Sequence, residues 1–120
     1  MSVVKLIITF SLFLFISSQG FAGDTRTVEA VHLEKAQLKG KQVTVKGKVT
    51  KVNNGIMKRN FLHVQDGSGG KDTNDLIVTS AETANVGDQV VITGTVVLDT
   101  DFGFGYKYPL LVEKSSIKVQ

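Results

Sequence analysis

The feature that most narrows the choice of folds is a pattern that occurs twice. Val43-x-Val45-x-Gly47-x-Val49 and Val90-x-Ile92-x-Gly94-x-Val96 place apolar residues at every second position, with glycine in the same slot of each run. Successive side chains of a strand point to opposite sides, so a period of two marks a strand with one buried face. Glycine in the middle of such a strand marks a bend or a bulge, the device that lets a small barrel curl its strands.

The remaining segments fit around these two strands. The first strand is expected over Gln42–Val52, with Thr44, Lys46, Lys48 and Thr50 on its polar face and a turn at Asn53-Asn54-Gly55. A second strand spans Phe61–Gln65, with Leu62 and Val64 inward and Phe61 and His63 outward. A flexible turn, Asp66–Gly70, leads to a short third strand, Leu76–Thr79. Thr79-Ser80-Ala81-Glu82 fits a capping box, in which a hydroxyl and a carboxylate three residues apart satisfy the first free N–H groups of a helix, and predicts one helical turn. Val86-Gly87-Asp88 turns into the fourth strand, Gln89–Leu98, with Val90, Ile92, Gly94, Val96 and Leu98 inward. Thr100–Gly105 reads as a glycine- and aromatic-bearing loop before a fifth strand, Tyr106–Val112, which Ile117 and Val119 extend. Pro109, the only proline, suits an edge. Upstream, Gly23–Thr27 is a loose polar terminus, and Glu34–Leu38 a helical turn ended by Gly40.

Residues 1–22 fall outside this pattern. Lys5 precedes the apolar run Leu6–Ile16, and small residues stand at Gly20 and Ala22. Charge, apolar run and small residues in that order describe a secretory signal peptide, with cleavage expected after Ala22. The apolar run falls short of the roughly 20 residues that cross a bilayer, so a retained anchor is the weaker alternative. The chain has no cysteine, which excludes a lipid-modified cysteine and any disulfide. The organisation read from the sequence is therefore a signal peptide over 1–22, an N-terminal segment over 23–41 and a barrel over 42–120. The expected location is the periplasm or the exterior, as a soluble monomer with no membrane span after cleavage.

Three strands, a short helix and two further strands give an all-β, five-stranded OB-fold Greek-key barrel with the helix between strands three and four. The stretches VTVKGKVTKVNNGIMKRNFLHVQDGSG, NDLIVTS, VGDQVVITGTV and DFGFGYKYPLLVE resemble exported bacterial OB-fold proteins, over about Leu38–Gln120. Members of that family usually carry a nucleic-acid-binding label, and some relatives accompany cytochromes of nitrite respiration. The resemblance implies a binding module, and its label rests on fold. Where the family usually has tryptophan this chain has Phe61.

The candidate site follows from where OB-folds take ligands: the face around strands two and three and the loops flanking it. That face offers Phe61 and His63; the first loop adds Met57, Lys58 and Arg59, and the loop before the last strand adds Phe102 and Phe104. Lys46 and Lys48 stand on the polar side of the first strand. They belong to a segment, Lys35–Gln65, with eight basic residues and no acidic one. Aromatic rings that stack on bases and cations that meet phosphates are what single-strand binders use. Two functions fit: binding of single-stranded nucleic acid or another anionic oligomer, or docking of a periplasmic protein partner in a redox or envelope complex. Against both stand simpler roles: Phe61, Phe102 and Phe104 packing on one another to close the barrel mouth, and lysines keeping strand faces soluble.

Other chemistries find no support. His32 and His63, far apart and without cysteine, make a poor metal site, and no metal or cofactor is expected. Asp66, Asp72 and Asp75 lack the alternating donors of a calcium loop. Gly67–Lys71 lacks the spacing of a phosphate loop. With no cysteine nucleophile, no nucleophile elbow and carboxylates mostly in turns, an enzyme is not expected.

Overall fold

The computed structural model describes residues 24–120; the expected signal peptide lies outside the described residues. Asp24–Thr25 (β1) precedes two short helices, Val28–Leu33 (α1) and Lys35–Leu38 (α2). Five longer strands follow: Gln42–Ile56 (β2), Arg59–Gln65 (β3), Leu76–Ser80 (β4), Gln89–Asp101 (β5) and Lys107–Val119 (β6). The sheet order is β1-β2-β3-β4-β6-β5, and β2 also pairs with β5, which closes the five long strands into a ring. Every pairing in the ring is antiparallel except β4 with β6. This is the OB-fold barrel that the alternation implied. Among the described residues, no helix is long and apolar enough to cross a membrane.

The inward set is as the period of two assigns it. Val43, Val45, Val49, Leu62, Val64, Val90, Ile92 and Val96 are buried, and Leu98 packs partly buried against them. The two glycines mark close approaches. A Cβ on Gly47 would lie 2.6 Å from Val64 Cγ1 and 2.8 Å from the Gln65 carbonyl oxygen, and one on Gly94 would lie 2.9 Å from the Glu113 carbonyl oxygen. Gly94 lies opposite a register shift between β5 and β6 whose extra residue is on β6, whereas at Gly47, where a bend or bulge was expected, the pairing with β5 runs without a shift from Gln42 to Lys48.

Four local expectations give way. The terminus is not loose: β1 pairs in parallel with β2, Asp24 opposite Val43. The helical segment begins earlier than Glu34, at Val28, with Thr27 as its N-cap. The first hairpin does not turn at Asn53-Asn54-Gly55. It turns at Met57-Lys58, both left-handed with φ of 53° and 65°, and Gly55 is absorbed as a bulge at φ 74°. The later turn lets the ladder extend to Ile56 opposite Arg59. Finally, no helix forms between the third and fourth long strands. Ser80 is buried, its hydroxyl donates to the Ser115 carbonyl, and the Glu82 carboxylate accepts from the Ile117 N–H at 2.7 Å. Ser80 and Glu82 thus bind the neighbouring strand β6, and the Ser80 hydroxyl also accepts from the Glu82 N–H at 2.9 Å in a local turn that no helix follows.

α1 lies against the β3–β4 loop, which satisfies its free N–H groups from outside the helix. Asp66 Oδ2 accepts from the Val28 N–H at 2.9 Å, Ser68 Oγ from Glu29 at 3.0 Å, and Thr27 Oγ1 from Ala30 at 3.0 Å. Partial burial pushes the Asp66 carboxyl upward, but hydrogen bonds from the Ser68 hydroxyl and from the Val28 and Ser68 N–H groups outweigh it and hold the carboxyl below its ordinary value.

Candidate site on the outer face of the barrel

One bulge decides which side chains share the outer face. On β2 the register passes from Val49 opposite Val64 to Lys51 opposite His63, so Thr50 is an extra residue. Strict alternation from Val49 would turn Lys51 inward. The bulge instead puts Lys51 outward with Lys46 and Lys48, and turns Val52 inward against the core. Residues directly opposite on neighbouring strands share a face, so Lys48 stands beside Gln65, Lys51 beside His63 and Asn53 beside Phe61. A lysine at a position whose parity predicts burial is the signal in the sequence that could have revealed the bulge.

At the turn end of this face lies a groove of about 260 Å³, lined by Asn53 and Ile56 of β2, Phe61 and His63 of β3, Ile77 of β4, and Tyr106 and Tyr108. Phe61 points away from Leu62 as expected, yet it is only 3% exposed. The extension of the β5–β6 hairpin folds over it. Tyr108 packs on its ring with centroids 5.5 Å apart, and Phe102 meets it edge-on at 5.9 Å. Phe61 is therefore packed, as the simpler reading of the aromatics held, but with Tyr108 in the place expected of Phe104. Phe104 stands 98% exposed at the hairpin tip, with φ 55° between Gly103 and Gly105. The Arg59 guanidinium lies 4.7 Å over the Phe102 ring.

His63 is fixed by Asp75. Its Nδ1 lies 2.7 Å from Asp75 Oδ2; a carboxylate only accepts, so Nδ1 donates. The same carboxylate accepts from Gln65 at 3.3 Å, and the Asp75 carbonyl lies 2.6 Å from His32 Nε2. The two histidines thus meet one residue, on different atoms. Among the described residues, no group of three or more His, Cys, Asp or Glu side chains is placed to hold a metal.

The expected site residues divide among three places and the exposed hairpin tip that Phe104 occupies. Phe61 and His63 line the aromatic groove, which Phe102 backs. Met57 and Lys58 form the turn, and Lys58 and Arg59 line a separate recess of about 190 Å³ with Thr79 and Glu113. Lys46 and Lys48 line a larger one of about 480 Å³ with Thr50, Gln65, Asp66 and Gln89. The sequence alone does not mark Tyr106, Tyr108, Asn53, Ile56, Ile77 or Lys51 as site residues. Both tyrosines read from the sequence only as strand residues, because the curl of the hairpin over Phe61 leaves no periodic trace.

No family model matches the chain, and no curated protein matches it. Solved structures do. A putative aspartyl-tRNA synthetase from Leishmania major Friedlin is 14% identical with a TM-score of 0.58; the match covers 87% of this chain and 22% of that one, so the chain spans about a fifth of the synthetase's length. The OBody AM3L09, in its complex with hen egg-white lysozyme, is 22% identical with a TM-score of 0.51, over 69% of this chain and 84% of that one. At these identities the likeness is one of fold.

Proposed function

We propose that the protein is an exported OB-fold binding module whose aromatic groove takes a flat ring of an anionic oligomer, the chemistry of single-stranded nucleic acid. The observation that carries this reading is the open groove with Tyr106 and Tyr108 on its wall. At the hairpin turn beside it, Lys58 and Arg59 form no ion pair among the described residues, and Arg59 lies over the Phe102 ring that backs the groove. Stacking of one base on an aromatic side chain contributes about 1–3 kcal/mol. Tyr106 and Tyr108 are the only tyrosines and the chain has no tryptophan, so intrinsic fluorescence reports on this groove alone. Titration with single-stranded DNA at low salt is expected to quench that emission, with an affinity that falls as salt rises. Emission unchanged by DNA at any salt concentration would refute the reading.

A second reading, docking of a protein partner, is favoured by Phe104 alone. Its strained, solvent-facing position between two glycines suits an anchor for a pocket on another protein. Under that reading Phe104→Ser abolishes partner capture while DNA titration shows no response. Export rests on the order of charge, apolar run and small residues in 1–22. Mass spectrometry of protein from a cell envelope fraction should find Gly23 first.

A further inference from the structure

The bulge at Thr50 aligns three lysines, Lys46, Lys48 and Lys51, in one outward row along β2. All three are exposed and none has an ion-pair partner among the described residues. Alternate residues of a strand lie about 6.6 Å apart, so the row repeats positive charge at a step that an extended polyanion with one charge per monomer can follow. The row starts beside His63, at the edge of the aromatic groove, and runs into the recess lined by Lys46, Lys48 and Gln89. The one carboxylate in that recess, Asp66, is turned to other work: its oxygens accept from Val28 and Ser68.

We propose that groove and lysine row form one continuous site, and that the ligand is an oligomer lying along β2, with one ring in the groove and its following charged units on Lys51, Lys48 and Lys46. This rests on the reading of the groove as a ring-binding site and adds the ligand's length and direction. A mononucleotide fills the groove only; a longer strand also engages the row. Each neutralised phosphate of a single strand adds about 0.7 to the slope of log affinity on log salt, so three lysines add about two.

The test is a tyrosine-quenching titration of thymidine monophosphate, a thymidine tetranucleotide and a thymidine octanucleotide, on the wild type and on the variant Lys46→Ala/Lys48→Ala/Lys51→Ala. All three positions are exposed, so the variant is expected to fold with an unchanged melting temperature, checked by circular dichroism. In the wild type, affinity should rise at least about tenfold from the mononucleotide to the tetranucleotide, and the salt slope should steepen by about two. In the variant, the mononucleotide should bind as before and the tetranucleotide no better than it. Quenching by the mononucleotide with no gain from length, or a gain that survives the triple substitution, would overturn the inference and leave the groove reading intact. No quenching at any length would overturn both.

Discussion

Truncation of Phe61 to alanine removes a ring that is 3% exposed and held by two others, Tyr108 at 5.5 Å and Phe102 at 5.9 Å. Buried Phe to Ala changes cost about 3–5 kcal/mol, the sum of lost transfer energy and the cavity left behind. Here the void opens toward the groove, where water can enter and Phe102 can relax, which places the cost near the lower end, about 3 kcal/mol. For a domain of this size each kcal/mol shifts the melting temperature by roughly 4–8 °C, so the expected drop is about 12–24 °C. Thermal denaturation followed by far-UV circular dichroism measures it, and near-UV dichroism should show the tyrosine environment loosening. Phe61→Leu, which keeps most of the volume, should lose less than half as much. A melting temperature lowered by less than about 4 °C in the alanine variant would refute the packing argument and return Phe61 to the role of an exposed stacking platform.

Three further outcomes are expected. Gly47→Ala pushes a methyl against Val64 and the Gln65 carbonyl and should destabilise by about 1–3 kcal/mol in chemical denaturation, unlike the same change at an open position such as Gly70. Asp66 has its folded-state carboxyl lowered, so it contributes stability above the unfolded value of about pH 3.9 that is lost as pH falls through the folded value. Asp66→Asn should therefore be less stable at neutral pH and show a shallower loss of stability in acid; equal acid dependence in both proteins would count against the tie to α1. Tyr106→Leu, at a side chain 44% exposed, should weaken DNA binding by about 1–3 kcal/mol in a titration while the melting temperature stays within a few degrees.

The barrel was legible because its determinants are local and repeated. Alternation at Val43–Val49 and Val90–Val96 fixes which faces are buried, and the glycine in each run fixes where strands crowd. What escaped depends on competition between distant groups. Thr79–Glu82 carries the chemistry of a helix start, but Ser115 and Ile117 of β6, more than thirty residues later, offer Ser80 and Glu82 competing partners. Asn53-Asn54-Gly55 has strong turn chemistry, yet a longer ladder displaced the turn to Met57-Lys58. The candidate site was legible by residue type and only partly by position. Phe61 and His63 do face outward, but Lys51 required the bulge, and Tyr108 required a hairpin that bends back over the sheet.

The tie between α1 and the β3–β4 loop bears on the order in which the chain assembles. A six-residue helix is far below the length that persists alone in water. The groups that complete its first turn, Asp66 and Ser68, stand 38 and 39 residues further along the chain. During synthesis the N-terminal segment emerges first but has nothing to fold onto until the hairpin of β2 and β3 and the loop after it have formed. Segment 24–41 is therefore expected to dock late, with φ-values near zero in folding and unfolding kinetics. Substitutions within it should speed unfolding and leave the folding rate almost unchanged. Its first-made residues become the last to settle.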